Sequence, residues 1–288
     1  MISLVVATVD RVAELERLLA SLEVQSFQDF EVLVVDQNQD ERLAPVMARH
    51  PRLRLKHLRS ERGVSRARNV GLRAARGEIV AIPDDDCWYS GNLLASVAEW
   101  FQSHAEYGGL FVTMRGADGE SIGPKWPKSA RPCTRKNAMA CVTAINGFLR
   151  RSVVDAIGFF NENIGPGVRS KYIAGEDMEY FLRPFRFGTR MWFEPSLWVG
   201  HPNLHSMERL ERTSYSYALG AGYVMRVHGY SSPYLSLQLA RSLAGAALSL
   251  CKGDVTLART YAMRAAGQFH GYCFGPRDVA RAAMQKTD

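Results

Sequence analysis

The chain has 288 residues, of which 47% are hydrophobic, so it can bury the core of one large domain or two small ones. Its net charge of +7 is spread along the sequence without a nucleic-acid recognition motif, which argues against a nucleic-acid partner. The five cysteines lack a paired framework, no apolar run reaches a bilayer-spanning length, and no basic segment precedes the first strand, so we expect a cytoplasmic protein with reduced thiols and no signal peptide.

The first 60 residues alternate apolar strands with an amphipathic helix. Residues 2–8 and 30–36 are β-branched apolar runs, and the segment 12–22 between them carries leucines at helical spacing. A third short strand is predicted at about 53–58. Nearly continuous apolar strands that alternate with helices indicate an α/β fold, with a Rossmann-like, mostly parallel sheet covered on both faces.

A helix is predicted to open within the segment 63–72. Ser65 is expected to be its N-cap, and Arg66, Arg68 and Asn69 are expected to point away from the core. Helix N-termini and arginines both favour phosphate oxygens, so Arg66 and Arg68 are candidate phosphate ligands. A surface helix with ordinary charges is the alternative interpretation.

The apolar run 79–82 leads into three consecutive carboxylates, Asp84, Asp85 and Asp86. Carboxylates this close repel one another, and burying one without a partner is costly, so the cluster predicts a bound cation. Mg²⁺ and Mn²⁺ take oxygen ligands, and Mg²⁺ leaves part of its shell to substrate phosphates. A solvated acidic turn is the alternative.

Further polar residues follow the first two predicted strands, namely Thr8, Asp10 and Asp36. In a parallel sheet, ligands bind beyond the carboxyl ends of the strands, so we expect these side chains at the same edge as the three acids. A cation flanked by arginines at this edge would suit a diphosphate.

The order of the short motifs is more specific than any one of them. The series consists of Thr8, Val35-Asp36, Gly63-x-Ser65-x-Ala67-Arg68-Asn69-x-Gly71, Gly77-Glu78-Ile79-Val80, Asp84-Asp85-Asp86 and Gly175-Glu176-Asp177. In this order the series resembles the family 2 glycosyltransferases of GT-A fold, over about residues 1–205. The resemblance implies a mixed, mostly parallel sheet flanked by helices, and beyond it the composition predicts a C-terminal helical extension.

The resemblance also implies roles for the matched residues in a nucleotide-sugar site. Asp36 would accept hydrogen bonds from the nucleotide base, and Thr8 would line the base pocket. Asp86 would bind the Mn²⁺ or Mg²⁺ that bridges the donor diphosphate, while Asp84 and Asp85 would help to hold the ribose.

Other residues complete this expected set. Asp10 adds an acid to the nucleotide-sugar site, and Arg66 or Arg68 would stabilise the charge that develops on the leaving diphosphate. Asp177 resembles the catalytic base of inverting members, and His201 lies where some GT-A enzymes place a further metal or phosphate contact.

The roles assigned to Asp177 and His201 each have a simpler structural alternative. Glu176 and Asp177 would also stabilise the start of a helix through its dipole, and His201 is equally typical of a structural histidine. His205 follows four residues after His201, but Pro202 argues against a zinc pair on one helical face.

Two departures from the family pattern concern the nucleotide. Ala7-Thr8-Val9-Asp10 stands where the family often has Pro-Thr-Tyr-Asn, so an aromatic wall for the base is missing. Gln37 stands where a second Asp usually follows Asp36. The identity of the base therefore stays open.

Strand patterns end at about residue 205, and helices are predicted beyond it, at 207–228, 234–251 and about 255–270. The second of these has a broad apolar face that includes Leu235, Leu239, Leu243 and Leu250. This face indicates either packing, against the catalytic domain or a second copy in a homodimer, or peripheral docking on an anionic membrane, helped by the positive charge of the chain.

The predicted domains are a catalytic domain over 1–205 and a helical region over 206–288. The catalytic domain divides into a nucleotide-sugar-binding half, 1–107, and an acceptor half, 108–205.

The predicted function is inverting, metal-dependent transfer of a sugar from a nucleotide-sugar donor to a hydroxyl of a sugar or lipid-linked glycan, in bacterial surface polysaccharide or glycoconjugate assembly. A nucleotidyltransferase that makes nucleotide sugars and a non-catalytic nucleotide-sugar binder are the alternatives. The former usually has a Gly-rich phosphate loop after the first strand, for which Asp10-Arg11-Val12 is a poor substitute. Pyrophosphate exchange would identify that rival, and binding without turnover would identify the non-catalytic one.

Overall fold

The computed structural model describes residues 1–123, 125–203 and 207–275. The chain divides into two compact units, one formed by Met1–Phe160 with Phe181–Asn203 and one by Asn161–Tyr180 with Leu204–Asp288. The predicted boundaries at 107 and 205 stay a prediction.

One mixed sheet organises the first unit, and among the described residues it contains ten strands. They are β1 (Ile2–Thr8), β2 (Phe30–Asp36), β3 (Leu55–Arg59), β4 (Ile79–Ala81), β5 (Trp88–Tyr89), β6 (Gly109–Arg115), β7 (Ser121–Ile122), β8 (Arg131–Cys133), β9 (Gly147–Arg150) and β10 (Met191–Gly200). Their order across the sheet is β3-β2-β1-β4-β9-β6-β10-β5, with β7 beside β6 and β8 beside β10.

The directions of the strands confirm the predicted α/β class. β1 to β4 are mutually parallel, β9 enters antiparallel between β4 and β6, and β6 and β10 resume the original direction. Thr8 and Asp36 are in register at the ends of β1 and β2, so both side chains reach the carboxyl edge of the sheet, as the sequence predicted.

The helices of the chain lie between and after these strands. They are α1 (Val12–Glu23), α2 (Ala44–Ala48), α3 (Val64–Ala74), α4 (Leu93–Ser103), α5 (Arg151–Ile157), α6 (Glu176–Leu182), α7 (Met207–Val227), α8 (Ser232–Cys251) and α9 (Val255–Phe274). Short 3₁₀ turns occur at Ala138–Ala140 and Arg183–Phe187. Helix α1 buries its leucines at helical spacing, which is why its sequence predicted it correctly.

Helix α3 differs from its sequence prediction in two ways. Its N-cap is Gly63 at φ 131° rather than Ser65, because the helix begins two residues earlier than predicted and buries Ser65 in its first turn. Arg68 and Asn69 are also buried instead of pointing away from the core. Asn69 exchanges hydrogen bonds with the backbone of Phe160, donating to its oxygen at 3.0 Å and accepting from its nitrogen at 2.7 Å.

In the second unit, α7 and α9 approach closely through glycines. A Cβ on Gly271 would lie 2.0 Å from the Leu219 oxygen, and one on Gly222 would lie 2.2 Å from the Gln268 oxygen. The backbones therefore touch at positions where any larger residue would separate the helices. None of the helices in the described ranges has the length and hydropathy needed to cross a membrane.

The buried face of helix α8 differs from the apolar face that the sequence predicted. It buries Leu235, Ser242 and Ser249, which are spaced seven residues apart, whereas Leu243 and Leu250 are 57% and 58% exposed. A seam of small residues lets α8 lie close to α9, where Gly245 packs against the ring of Tyr261. Most of the leucines of α8 therefore face away from its neighbouring helix.

The close contact between α3 and the sheet makes a testable prediction. A Cβ on Gly71 would lie 2.3 Å from Val5 Cγ1 and 3.1 Å from Val35 Cγ2. Replacing a helical glycine with alanine ordinarily stabilises a helix by about 1 kcal/mol, but here overpacking should lower the free energy of unfolding by about 1–3 kcal/mol. Urea titration of Gly71→Ala and of the parent shows whether the free energy of unfolding falls or rises.

The double variant Gly71→Ala/Val5→Ala is the control, because it removes the obstructing methyl group. It should be less destabilised than the sum of the two single variants. A Gly71→Ala protein at least as stable as the parent would contradict the contact.

Candidate functional site

Two buried carboxylates dominate the carboxyl edge of the sheet. The loop between β4 and β5 places Asp85 and Asp86 so that each is only 5% exposed, while Asp84 stays partly exposed. Burial raises the pKa of Asp85 to about 6, against the opposing effects of the Thr8 hydroxyl and Arg11. Such a pair is stable only beside positive charge, and the structure supplies it from several elements.

Arg11, in the loop between β1 and α1, is the main counter-charge of this acid pair. Its Nη1 atom donates to Asp85 Oδ1 and Asp86 Oδ2, both at 2.8 Å. The loop turns at Asp10, which has a positive φ of 59° and donates its backbone N–H to Asn38 Oδ1 at 2.8 Å. Arg17 on α1 donates to the Asp86 carbonyl oxygen at 2.8 Å.

A candidate metal site lies on the other side of Asp86. Asp84, Asp86 and His201 each offer one ligand atom, and these atoms lie within 4.8 Å of one another. Asp86 Oδ1 is buried and makes no hydrogen bond within the described part of the chain, and it lies 3.3 Å from His201 Nε2. An orphaned carboxylate oxygen facing an imidazole nitrogen fits a divalent cation.

The sheet explains why His201 meets these acids. Gly200, at the end of β10, pairs with Trp88 of β5, two residues after Asp86. A Cβ on Gly200 would lie 2.0 Å from the Trp88 indole nitrogen, so the approach requires glycine. His201 Nδ1 bonds to the Pro202 oxygen at 2.7 Å, which leaves Nε2 directed at Asp86.

The ionisation of this pair follows from its surroundings. Burial opposes the charged form of Asp86, but the adjacent His201 imidazole and Arg11 outweigh this effect and lower the pKa of Asp86. Burial by itself would lower the pKa of His201, but the effect of Asp86 is larger and opposite, so the pKa of His201 is raised overall. The two groups thus favour an ion pair.

The two predicted phosphate ligands on α3, Arg66 and Arg68, have different partners in the structure. The buried Arg68 donates to Asp84 at 3.0 Å and stacks over the ring of Phe160, so it reaches the acid cluster. Arg66, in contrast, forms an ion pair with Glu61. The structure thus brings Arg68 to the three acids.

The Asp36 carboxylate is completely buried and has four hydrogen-bond donors. Oδ1 accepts from the backbone and side-chain nitrogens of Asn38 at 2.8 and 2.7 Å. Oδ2 lies 2.9 Å from His57 Nε2 and accepts from Arg59 Nη1 at 2.7 Å. These partners fix the orientation of the carboxylate at the end of β2.

Asp10 and Gln37, which stand at the two positions that depart from the family pattern, also have partners in the structure. Asp10 is exposed and forms ion pairs with Arg42 at 2.9 Å and Arg62 at 2.7 Å. Gln37 donates its backbone N–H to the Thr8 oxygen at 3.0 Å and accepts from the Gly63 backbone N–H at 2.8 Å. Gln37 therefore connects the end of β2 to the end of β1 and to the start of α3.

Asp177 belongs to the second unit and begins α6 there with two other acids. It is partly exposed, and its Oδ1 accepts from the Met178 backbone N–H at 2.7 Å. Glu176 and Glu179 are buried, and Glu179 Oε1 lies 3.6 Å from His228 Nε2. Asp177 is thus the solvent-accessible acid of this first turn. His205 lies outside the described residues.

Sequence reasoning missed three members of the site: Arg11, His57 and Arg59. Arg11 directly follows Asp10 in a loop already assigned to the ligand edge, so its position was a usable signal. Arg59 ends β3 in register with Asp36, a pairing that only the sheet reveals.

Comparison with known proteins gives this geometry a context. Residues 3–158 match the family described as Glycosyl transferase family 2. An "Uncharacterized glycosyltransferase" of Haemophilus influenzae is 33% identical over 89 residues, which is 31% of this chain and 30% of that protein. YwdF of Bacillus subtilis, also an "Uncharacterized glycosyltransferase", is 30% identical over 100 residues, 34% of this chain and 37% of its own length. Each match thus spans about a third of the relative.

Solved structures share the fold over nearly the whole chain. The mannosyltransferase PcManGT of Pyrobaculum calidifontis, in complex with GDP-Man and Mn²⁺, has a TM-score of 0.63 at 18% identity and covers 96% of this chain and 88% of its own. S. aureus TarS 1-349, in complex with UDP-GlcNAc, has a TM-score of 0.60 at 16% identity, with coverages of 96% and 93%. The fold is therefore GT-A, as the sequence predicted.

The orphaned oxygen of Asp86 makes a prediction about metal binding. Mn²⁺ at about 100 times its Kd should stabilise the native parent protein by about 2.7 kcal/mol, visible as a higher melting temperature. Asp86→Ala removes the buried ligand oxygen and should abolish this shift. The control Asp118→Ala, which removes an exposed acid, should keep it. A parental shift in Asp86→Ala would exclude Asp86 as a ligand.

Proposed function

Since the chain belongs to glycosyl transferase family 2, we propose that it transfers a sugar from a nucleotide-sugar donor to an acceptor hydroxyl, with inversion and with the help of a divalent cation. The buried Asp86 oxygen that faces His201 at the ligand edge carries this proposal. The donors bound by the structural neighbours, UDP-GlcNAc and GDP-Man, are both nucleoside diphosphate sugars.

Three residues of this chain would hold the cation: Asp84, Asp86 and His201. The ion would supply Lewis-acid stabilisation of the leaving diphosphate. Because Mg²⁺ prefers oxygen ligands alone, a set that includes an imidazole favours a transition-metal ion such as Mn²⁺. Arg68 would keep Asp84 oriented, since it is itself fixed between that carboxylate and Phe160.

The nucleoside would lie toward β2, where Thr8 and Asp36 end their strands. We assign the base contact to Asp36 as a proposal supported by its place at this edge. Since its carboxylate already has four donors, a base N–H would have to replace one of them. Arg59 is the accessible partner, with 41% of its side chain exposed.

Asp177 is our candidate for the base that removes the proton from the acceptor hydroxyl. Its partial exposure suits proton exchange with a substrate, whereas Glu179 is buried beside His228. A carboxylate that acts as a proton acceptor suits direct displacement, in which no covalent sugar intermediate forms.

Asp177→Asn tests the catalytic role. The amide keeps the size and the hydrogen bond to Met178 but cannot accept a proton, so we expect the transfer rate to fall about 10²-fold or more while donor affinity is unchanged. Steady-state rates and calorimetric donor titrations separate the two quantities.

Asp254→Asn is the matched control, because Asp254 also accepts a backbone N–H at the start of a helix, from Leu257 at 2.9 Å. It should transfer sugar at the parental rate. Near-parental transfer by Asp177→Asn, or retention of the anomeric configuration in the product, would refute the assignment.

We also propose that α8 rests on an anionic membrane surface, near lipid-linked glycan acceptors of bacterial surface polysaccharide or glycoconjugate assembly. Its leucines 237, 243, 248 and 250 are 48–63% exposed, and its only charged residue is Arg241. The absence of acids from α8, with Lys252 directly after it, complements an anionic surface better than it complements a second basic copy.

Vesicle flotation tests this surface. The parent protein should float with vesicles rich in phosphatidylglycerol and not with phosphatidylcholine vesicles, and Leu243→Ser/Leu248→Ser should remove binding. Val24→Ser, at an exposed apolar residue of the first unit, should leave flotation unchanged. If the parent protein does not bind anionic vesicles but forms a dimer that Leu243→Ser/Leu248→Ser disrupts, the exposed face of α8 binds a second copy of the chain instead.

A further inference from the structure

Arg11 makes an unusual use of its guanidinium group. One nitrogen, Nη1, serves both Asp85 and Asp86 at 2.8 Å, so a single N–H-bearing atom spans the two buried carboxylates. Arg11 thereby places one positive charge between two acids that would otherwise repel each other at close range.

This contact also determines which oxygen of Asp86 can bind a metal. Arg11 occupies Oδ2, and Oδ1 is left buried without a hydrogen bond beside His201. A carboxylate held at one oxygen presents the other in a fixed direction, which is how outer partners orient metal ligands. Arg11 is therefore a positioning residue for the candidate metal site.

The rest of the guanidinium has no partner among the described residues. Both hydrogen bonds that Arg11 donates to the acids come from Nη1, and 42% of the side chain is exposed. The neighbouring arginines differ, because Arg42 and Arg62 bind Asp10, and Arg68 is buried against Asp84. Arg11 thus combines a fixed position at the acid cluster with an open edge carrying Nε and Nη2.

An arginine edge of this kind matches two oxygens of a phosphate group. The formal charges point to the same ligand. A divalent cation and Arg68 together only neutralise the three carboxylates, whereas adding Arg11 leaves one positive charge for an anionic ligand.

We propose that Arg11 binds the diphosphate of the donor through Nε and Nη2 while Nη1 continues to hold Asp85 and Asp86. This inference rests on the proposed function, and it assigns to Arg11 a leaving-group contact that the sequence predicted for Arg66 or Arg68. Metal site and diphosphate site are then organised by one side chain.

The test compares ligands with and without phosphates. At saturating Mn²⁺, isothermal titration of Arg11→Gln with UDP and GDP should show an affinity about 10- to 100-fold below that of the parent, the range expected for charged hydrogen bonds. Binding of uridine and guanosine, which have no phosphate, should be unchanged. Arg49→Gln, which breaks an exposed arginine pair with Glu16, should match the parent for all four ligands.

Arg11→Lys covers the case in which Arg11→Gln does not fold. It keeps the charge, but an ammonium cannot span both carboxylates and a phosphate, so UDP and GDP affinity should fall about 3- to 10-fold while the melting temperature is preserved. Mn²⁺ affinity without nucleotide should also fall in both variants, because Asp86 loses its orientation.

The outcomes separate this inference from the proposed function. Parental UDP and GDP affinity in the folded Arg11 variants would overturn the role of Arg11 alone. Tighter Mn²⁺ binding in Arg11→Gln would also overturn it, because Arg11 would then compete with the cation rather than position its ligand. A parent protein that binds no nucleoside diphosphate with Mn²⁺ would refute the proposed function as well.

Discussion

Burial of two adjacent carboxylates at the edge of the sheet is the constraint on which the rest of the site depends. Asp85 and Asp86 are too buried for water to solvate their charges, so each needs a positive partner within hydrogen-bond distance. The partners come from elements far apart in sequence: Arg11 from the loop after β1 and His201 from the end of β10. The acids therefore connect the loop after β1 with the end of β10 by charge, in addition to the sheet that both elements share.

Glycines make this convergence sterically feasible. Gly200 allows β10 to pass against the Trp88 indole, and so brings His201 beside Asp86. Gly71 lets α3 lie directly on Val5 and Val35, which places Arg68 at the level of Asp84. In both cases, backbone proximity fixes where a charged side chain ends up, so the positions of charges follow from packing at uncharged residues.

The sequence predicts the strands and the residues at the carboxyl edge of the sheet well because both depend on local patterns. Apolar runs followed by acids place Asp36 and Asp86 correctly, since a parallel sheet aligns its strand ends. Arg68 was misplaced because helical periodicity cannot show that a partner carboxylate and the ring of Phe160 make burial favourable for an arginine. The buried Ser242 was missed for a similar reason, because close approach of two helices can select a small side chain over an apolar one.

The residues that depart from the family pattern show how the site is held together. Gln37, in place of a second acid, contacts both the Thr8 oxygen and the Gly63 nitrogen, so it joins the end of β1 to the start of α3. Asp10 donates its backbone N–H to Asn38, and Asn38 in turn donates to Asp36. The same loop carries Arg11 to the acid pair. On the proposed assignments, in which Asp36 contacts the base and Asp86 the cation, a change beside Asp36 would be transmitted through this loop to Arg11 and so to Asp86. Base specificity and metal-site geometry would then be coupled.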